Sequence, residues 1–393
     1  MRIIAIIFIL LLYTLSCKDH TNQDIKVIDV GKYFKQHKEI MLSEIGSDVE
    51  YIQLESLDTC FIGRIEKILF IGDKIAILDY RSNNVLLFNR NGKYLRHIGK
   101  IGQGPGEFIR VSDITFLPED SSICLIDELS TKFLRYNLNG KLIFEKHFSM
   151  NPDKTSILND SLMVFRVNFP EFVNNENYCV SVCDKNLNEI SKLMDHSYLG
   201  ISFSEAYHSA THSRALLDIV QDTLTTWECG YDTIYKILGP NEIIPKYYLD
   251  YPSKKPMNPQ YINKIVPNMN AVERVIETKN YFFFSGGIGG KFFRMIYFKE
   301  INNGYVLQSS YSIDYKEYFT NDLDGGYPFF PEGITRDGKV YSTFSLFSLK
   351  KLLLEKSFSD INPVSNGKRD ELLRLVDNSQ LEDNQCIMLV TLK

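Results

Sequence analysis

The chain has 393 residues, 44% hydrophobic and 24% charged, which is enough apolar material for a substantial core. Its formal net charge is −5, and its lysines and arginines form no long run, which excludes the basic stripe of a nucleic-acid-binding surface. The 26 Phe and 23 Tyr, against a single Trp, favour the half-buried pleated surface of strands and hence an all-β fold.

At the N-terminus, Arg2 precedes an apolar run from Ile3 to Tyr13, followed by Thr14-Leu15-Ser16-Cys17. The run is too short to span a hydrocarbon layer of about 30 Å but has the length of a signal-peptide core. Ser16-Cys17 resembles the lipobox of bacterial lipoproteins, in which the signal is removed and the new N-terminal cysteine acylated. Such boxes usually carry Leu or a similar residue where Thr14 stands. The expected division is a signal peptide 1–16, a lipidated tether 17–24 with Cys17 as the lipidation site, and a globular part 25–393. The expected address is the cell envelope, at the outer membrane on its periplasmic or surface side. Two acyl chains would anchor the protein stably where one would not.

In the globular part Ile77-Leu78-Asp79 recurs as Leu125-Ile126-Asp127, Phe88-Asn89 as Tyr136-Asn137, and Asn91-Gly92-Lys93 as Asn139-Gly140-Lys141, all at an offset of 48 residues. The first unit reads as four strands: Ile65–Phe70, Ile75–Asp79, Val85–Asn89 and Lys93–Ile98. Gly72-Asp73 and Asn91-Gly92 supply the tight turns, because Gly and Asn tolerate positive φ. Later units diverge but keep the rhythm. Cys183-Asp184-Lys185-Asn186 echoes a third-strand exit, and Thr233–Ile237 reads as a third strand. Tyr281–Phe284 and Phe292–Phe298 read as middle strands, and Arg336–Lys339 as the turn before Val340–Phe344. Four-stranded units of this length are the signature of propeller blades.

Ring closure adds a specific expectation. The sixth unit runs out of strands after Phe344 and gives way to a helical stretch around Lys368–Val376. Its third strand is then Cys386–Leu392 and its fourth Val49–Leu54, so both chain ends share a blade and no sheet edge stays open at the join.

Six cysteines follow Cys17. Cys124, Cys179, Cys183 and Cys386 lie in apolar strand-like runs, where a thiol behaves as a small hydrophobe. Cys179 and Cys183 would stand about 13 Å apart on one strand, too far to bridge. Buried free thiols are expected for most of the six, which also include Cys60 and Cys229.

Units one and two resemble the six-bladed β-propeller family of lipoproteins from Gram-negative bacteria, related to NHL-repeat propellers. The residues carrying this are Ile77-Leu78-Asp79, Phe88–Lys93 and Gly102-Gln103-Gly104-Pro105-Gly106-Glu107. Asp232-Thr233-Ile234-Tyr235 and Asp322–Gly326 add to it. The resemblance covers essentially the whole mature chain and is closest in its first third. It implies the fold and no particular chemistry.

Several motifs invite other readings. Gly102–Glu107 looks like a phosphate loop, but Pro105 removes a donor and a strand follows rather than a helix. Gly286–Lys291 lacks the Walker pattern, with Ser285 in place of Gly and Phe292 in place of Ser/Thr, and reads as a flexible hairpin loop. His208 and His212 have zinc-site spacing without an adjacent Glu or a third ligand. Asp322 and Asp324 offer two hard oxygen ligands for Ca²⁺. No cofactor signature is present, so Ca²⁺ or Zn²⁺ at these positions is the extent of the cofactor expectation.

In a four-stranded meander, second-to-third hairpins and blade-to-blade loops emerge on one face. That face collects Arg81, Gln103, Glu107, the 286–290 glycines, His208, His212, Asp322, Asp324, Tyr327 and the long 251–271 connection. Mixed loops on a rigid scaffold are where binding usually resides. The expected ligand-binding residues are Arg81, Arg294, Asp322, Asp324 and Tyr327; Arg294, being in a strand, could instead pair with a blade carboxylate. The expected function is a non-catalytic binding or scaffold module for a glycan, peptide or protein partner, reaching the membrane through its lipid. The alternative is a metal-assisted lyase or hydrolase acting in the central channel, by fold-level analogy alone.

Overall fold

The computed structural model describes residues 25–167, 178–195, 216–227, 233–250, 271–288, 291–309, 315–354 and 361–393. Cys17, His208, His212, Cys229 and most of the 251–271 connection lie outside them.

Six antiparallel meanders form the blades of a β-propeller. The first blade is Ile65–Ile71, Lys74–Asp79, Asn84–Asn89 and Tyr94–His97, within a residue or so of the sequence reading. The second is Val111–Leu117, Ser122–Asp127, Lys132–Asn137 and Leu142–His147. The third runs from Pro152 to Asp195, and the fourth from Leu216 to Asp250 with Thr233–Gly239 as its third strand. The fifth comprises Ala271–Glu277, Tyr281–Ile288, Lys291–Phe298 and Asn303–Leu307. The sixth is assembled in the order Gly333–Ile334, Val340–Phe344, Cys386–Leu392 and Gly46–Gln53. The chain ends therefore share that blade, with Met388 opposite Tyr51 and Val390 opposite Val49.

The 48-residue repeat has a physical basis at two positions. Asp79, fully buried, closes the second strand of its blade and accepts the N–H groups of Gly63, Arg64 and Arg81 and the Ser82 hydroxyl. Asp127 repeats this with Ile109, Arg110 and Ser130. Each carboxylate ties the incoming inter-blade loop to the following hairpin, which accounts for the buried acid at the end of an apolar strand. Asn89 Oδ1 accepts the N–H groups of Asn91 and Lys93, and Asn137 Oδ1 those of Asn139 and Lys141. Asp184 does the same for Asn186 and Asn188 in the third blade. Gly92 is held by more than its φ of +80°: a Cβ there would come within 1.9 Å of the Gln53 carbonyl oxygen, across the closure.

Three features were not visible in the sequence pattern. Residues before the closing strand run along the outside of the ring: Lys26–Asp29 pairs in parallel with the last strand of the fourth blade, and His37–Lys38 with that of the fifth. The glycines at 286–287 lie inside the second strand of the fifth blade rather than in a loop, with Gly286 opposite Phe293 and Gly287 opposite Phe292. In addition to the expected helix, found at Asn366–Asp377, a helix at Leu346–Leu353 buries Leu346, Leu349 and Leu352 and is capped by the Ser345 side chain. Cys60, Cys124, Cys179, Cys183 and Cys386 are buried free thiols.

Candidate functional site

The innermost strands surround a central cavity of about 1010 Å³ whose lining extends out to Phe292 and Arg294, on the third strand of the fifth blade. First strands of a propeller have one side facing the axis, and here that side carries charge. Lys67 and Asp113, on the first strands of two neighbouring blades, pair at 2.7 Å; Arg110 and Glu128, in the loops beside the second of these, pair at 2.9 Å; and Asp153, on the first strand of the third blade, pairs at 2.5 Å with Arg166 of that blade's second strand. Asp113 also accepts the Thr155 N–H at 2.8 Å. The Asp218 side chain is open to the lumen, yet it is deep enough in the ring for burial to raise its pKa against the pull of Lys67 and Lys154. Burial likewise raises Asp153 against Arg166, and Glu128 against Arg110.

The opposite wall, from the fifth and sixth blades, differs in chemistry. The Arg294 guanidinium lies 4.0 Å from the Tyr318 ring centre, 5.1 Å from Phe292 and 5.2 Å from Phe330. Such stacking on ring faces suits a planar, weakly hydrated cation. Across from it, Glu332 accepts the Thr343 N–H at 3.1 Å and its hydroxyl at 2.8 Å. Burial raises the Glu332 carboxyl despite Thr343, Arg274 and Arg294. Tyr327 lines the same cavity, its ring stacked on Phe344 at 4.6 Å and its hydroxyl 3.2 Å from that of Tyr315.

Of the residues singled out from sequence, Arg294 and Tyr327 meet at the cavity, and the other three do not line it. Arg81 is exposed, with its stem over Gly63, where an added Cβ would lie 2.7 Å from the Arg81 Cβ. Asp322 accepts the Ser43 N–H at 2.8 Å and the Ser43 hydroxyl at 2.6 Å, fastening the N-terminal segment. Asp324 accepts the Tyr51 hydroxyl, the Asn321 amide and the Gly326 N–H, each at 2.8 Å. Both carboxylates thus hold the closure together. Arg294 is set among aromatic rings rather than paired with a carboxylate of its own blade. Sequence reasoning missed Arg274, Ser285, Tyr318 and Glu332, which become neighbours only through strand register and ring closure.

The loop 102–107 shows why a glycine-rich string need not cradle phosphate. Its N–H groups at Gly104 and Gly106 are bonded to the carboxylates of Glu107 and Glu145, at 2.9 and 2.6 Å. Among the described residues no three His, Cys, Asp or Glu side chains gather into a metal cage. Among them, too, no helix is long and apolar enough to cross a membrane.

Residues 25–391 match the family described as "Domain of unknown function (DUF4934)". No curated protein matches the chain. A structure of a Bacteroides fragilis NCTC 9343 protein designated as exported is similar, at 20% identity and TM-score 0.71, covering 94% of this chain and 100% of that one. A member of the DUF4221 family from Bacteroides vulgatus ATCC 8482 is similar at 10% identity and TM-score 0.50, covering 88% of this chain and 97% of that one. At these identities the likeness concerns the fold alone.

Proposed function

The chain belongs to the DUF4934 family, and on that premise we propose that it is an envelope-anchored, non-catalytic binding module that takes a glycan or peptide segment into its central channel. The observation that carries this reading is the axial cavity, about 1010 Å³ with a charged wall on one side and an aromatic-and-arginine wall on the other. Its volume is that of a small-ligand site, and its walls combine apolar faces with a few placed polar groups. Tyr and Phe rings supply contact area at low entropic cost, and Tyr adds a polar tip. Anchoring rests on the apolar run at 3–13 and on Ser16-Cys17, with Cys17 as the acylated residue. Export also accords with the designation of the similar Bacteroides fragilis protein.

Two measurements test the proposal. Glycan and peptide arrays probed with the purified mature protein are expected to show binding that is lost when Arg294 and Tyr327 are changed to alanine. Retention of all binding in that folded double variant removes the channel as the site. Mass spectrometry of the membrane-extracted protein is expected to find diacylglycerol on Cys17. An unmodified N-terminus beyond Cys17 would remove the anchor.

A further inference from the structure

The central cavity is not symmetric about its axis. The first strand of the sixth blade, Gly333–Ile334, has two residues, whereas the first strands of the other five have between five and eight. It pairs with Val340 and Tyr341 alone, so the cavity reaches past it to residues 341–345, along the second strand and just beyond. Towards the fifth blade the cavity reaches Phe292 and Arg294, which are two apart on one strand and so share a face. The result is a recess between these two blades, with Tyr318, Tyr327 and Phe330 in its walls.

The charges in this corner balance. Asp218, Glu332 and Arg274 all act on the buried Tyr341 hydroxyl, and Arg294 acts on Glu332. Two guanidinium and two carboxylate groups leave no net charge, which favours neither an anion nor a cation. Arg294 gives one of its five N–H groups to the Tyr318 hydroxyl. Glu332 opens onto the lumen and accepts the Thr343 N–H and hydroxyl on Oε2 alone, so that Oε1 has no partner among the described residues. Phe292 is 49% exposed although it lines the cavity, and so presents an uncovered ring. The recess therefore offers a donor, an acceptor and a bare aromatic face to an uncharged ligand.

Peptide backbone and sugar both meet that description, and the sheet edge separates them. A peptide would be read by adding a strand to the inner edge of Val340–Phe344 that the short first strand leaves bare. The first N–H on that edge, from Thr343, already goes to Glu332 at 3.1 Å. A pyranose needs no strand edge, because its hydroxyls lie around its rim and the C–H groups of one face pack on an aromatic ring. We infer that the recess between the fifth and sixth blades is a saccharide subsite seating one neutral pyranose unit, with Phe292 against its C–H face, Glu332 Oε1 accepting one hydroxyl and Arg294 donating to another. This deepens the channel-binding reading and rests on it.

Calorimetric titration of the purified mature protein tests the subsite. The probes are neutral tetrasaccharides of glucose, galactose and mannose in α and β linkage, tri-galacturonate, and a tetra-alanine peptide blocked at both ends. At least one neutral tetrasaccharide is expected to bind, at least tenfold more tightly than tri-galacturonate or the peptide. Phe292→Ala, at an exposed position that folding does not need, should weaken that binding at least tenfold. Phe292→Trp, which keeps an aromatic face, should hold it within a few-fold of the wild type, and Glu332→Gln should weaken it several-fold. Tighter binding of tri-galacturonate or the peptide, or unchanged tetrasaccharide binding by a folded Phe292→Ala/Glu332→Gln variant, would overturn the saccharide subsite while leaving a channel-binding module. Binding of none of the probes would overturn the subsite as well, and blank glycan and peptide arrays in addition would overturn both.

Discussion

The Lys67 ammonium donates to Asp113 Oδ1 at 2.7 Å, joining the inner strands of the first two blades. The other carboxylate oxygen accepts the Thr155 N–H of the third blade at 2.8 Å, so one side chain, itself 3% exposed, links three consecutive inner strands. Removing one partner of a largely buried pair leaves the other charge uncompensated. Asp113→Ala is expected to lower the unfolding free energy by about 3 kcal/mol, read from the denaturant midpoint of the purified protein. A change below a few tenths of that would show that the lumen solvates Lys67 well enough to replace the pair.

Between the fourth and fifth blades, Glu277 accepts from Lys246 at 2.7 Å and from Lys299 at 2.6 Å, with the carboxylate 1% exposed and each lysine 12%. Burial lowers the pKa of both lysines although Glu277 opposes it. Glu277→Gln is expected to cost about 3 kcal/mol at neutral pH, because two buried ammonium groups lose their counter-charge. A lysine lowered in the folded state binds fewer protons there than when unfolded, so stability rises with pH through that interval. The deficit of the variant should therefore shrink as pH climbs towards about 10. A pH-independent deficit, measured by thermal melts across the range, would refute this account.

Asp79 gives the opposite dependence. Burial pushes its carboxyl up, but the Ser82 hydroxyl and the N–H groups of Arg64, Gly63 and Arg81 outweigh it and hold it below the ordinary value. Its contribution is thus fully present above the unfolded aspartate value of about 3.9 and is lost as pH falls through the lower folded value. Asp79→Asn should be less stable than the wild type at pH 7 and should lose less additional stability on acidification below pH about 4. Parallel acid-unfolding curves for the two proteins would exclude Asp79 as a source of the acid sensitivity.

Ring closure makes the last strand indispensable. Cys386–Leu392 lies between Val340–Phe344 and Gly46–Gln53, and its Cys386, Ile387, Met388, Leu389 and Val390 side chains are all buried. Deletion of residues 386–393 is expected to abolish the cooperative thermal transition, since it exposes two strand edges and the core they cover. A truncated chain with an intact transition would mean that the ring does not depend on that strand.

The buried thiols offer a check on the core itself. Burial pushes Cys124 up to about 12 and Cys183 to about 11. Because the thiolate is the reactive form, a disulfide reagent at pH 8 should leave both unmodified in the folded protein and label them only in denaturant. Native-state labelling of either would place it outside the core described.

How much could be read in advance follows from the range of each interaction. Asp79, Asn89, Asp127 and Asn137 bond to backbone groups within a few residues or across one loop, so their chemistry recurs as a local pattern, and the 48-residue offset exposed it. The strand count then required the two chain ends to share a blade, and they do. The strands along the outer edges of the fourth and fifth blades left no comparable trace, because edge pairing uses backbone groups that every residue carries. The candidate site was legible only in Arg294 and Tyr327. Asp322 and Asp324 looked like ligands in a short acidic loop, yet their partners Ser43 and Tyr51 lie more than 270 positions away in the chain. Arg274, Ser285 and Arg294 became one row only once the register of three strands was set. Composition and repeats by themselves therefore determined an all-β, six-bladed ring with both ends in one blade, since turns and alternation act locally. Which of its polar residues close the ring and which face the channel was decided by tertiary structure, because burial and partnership depend on segments that meet only after the chain has folded.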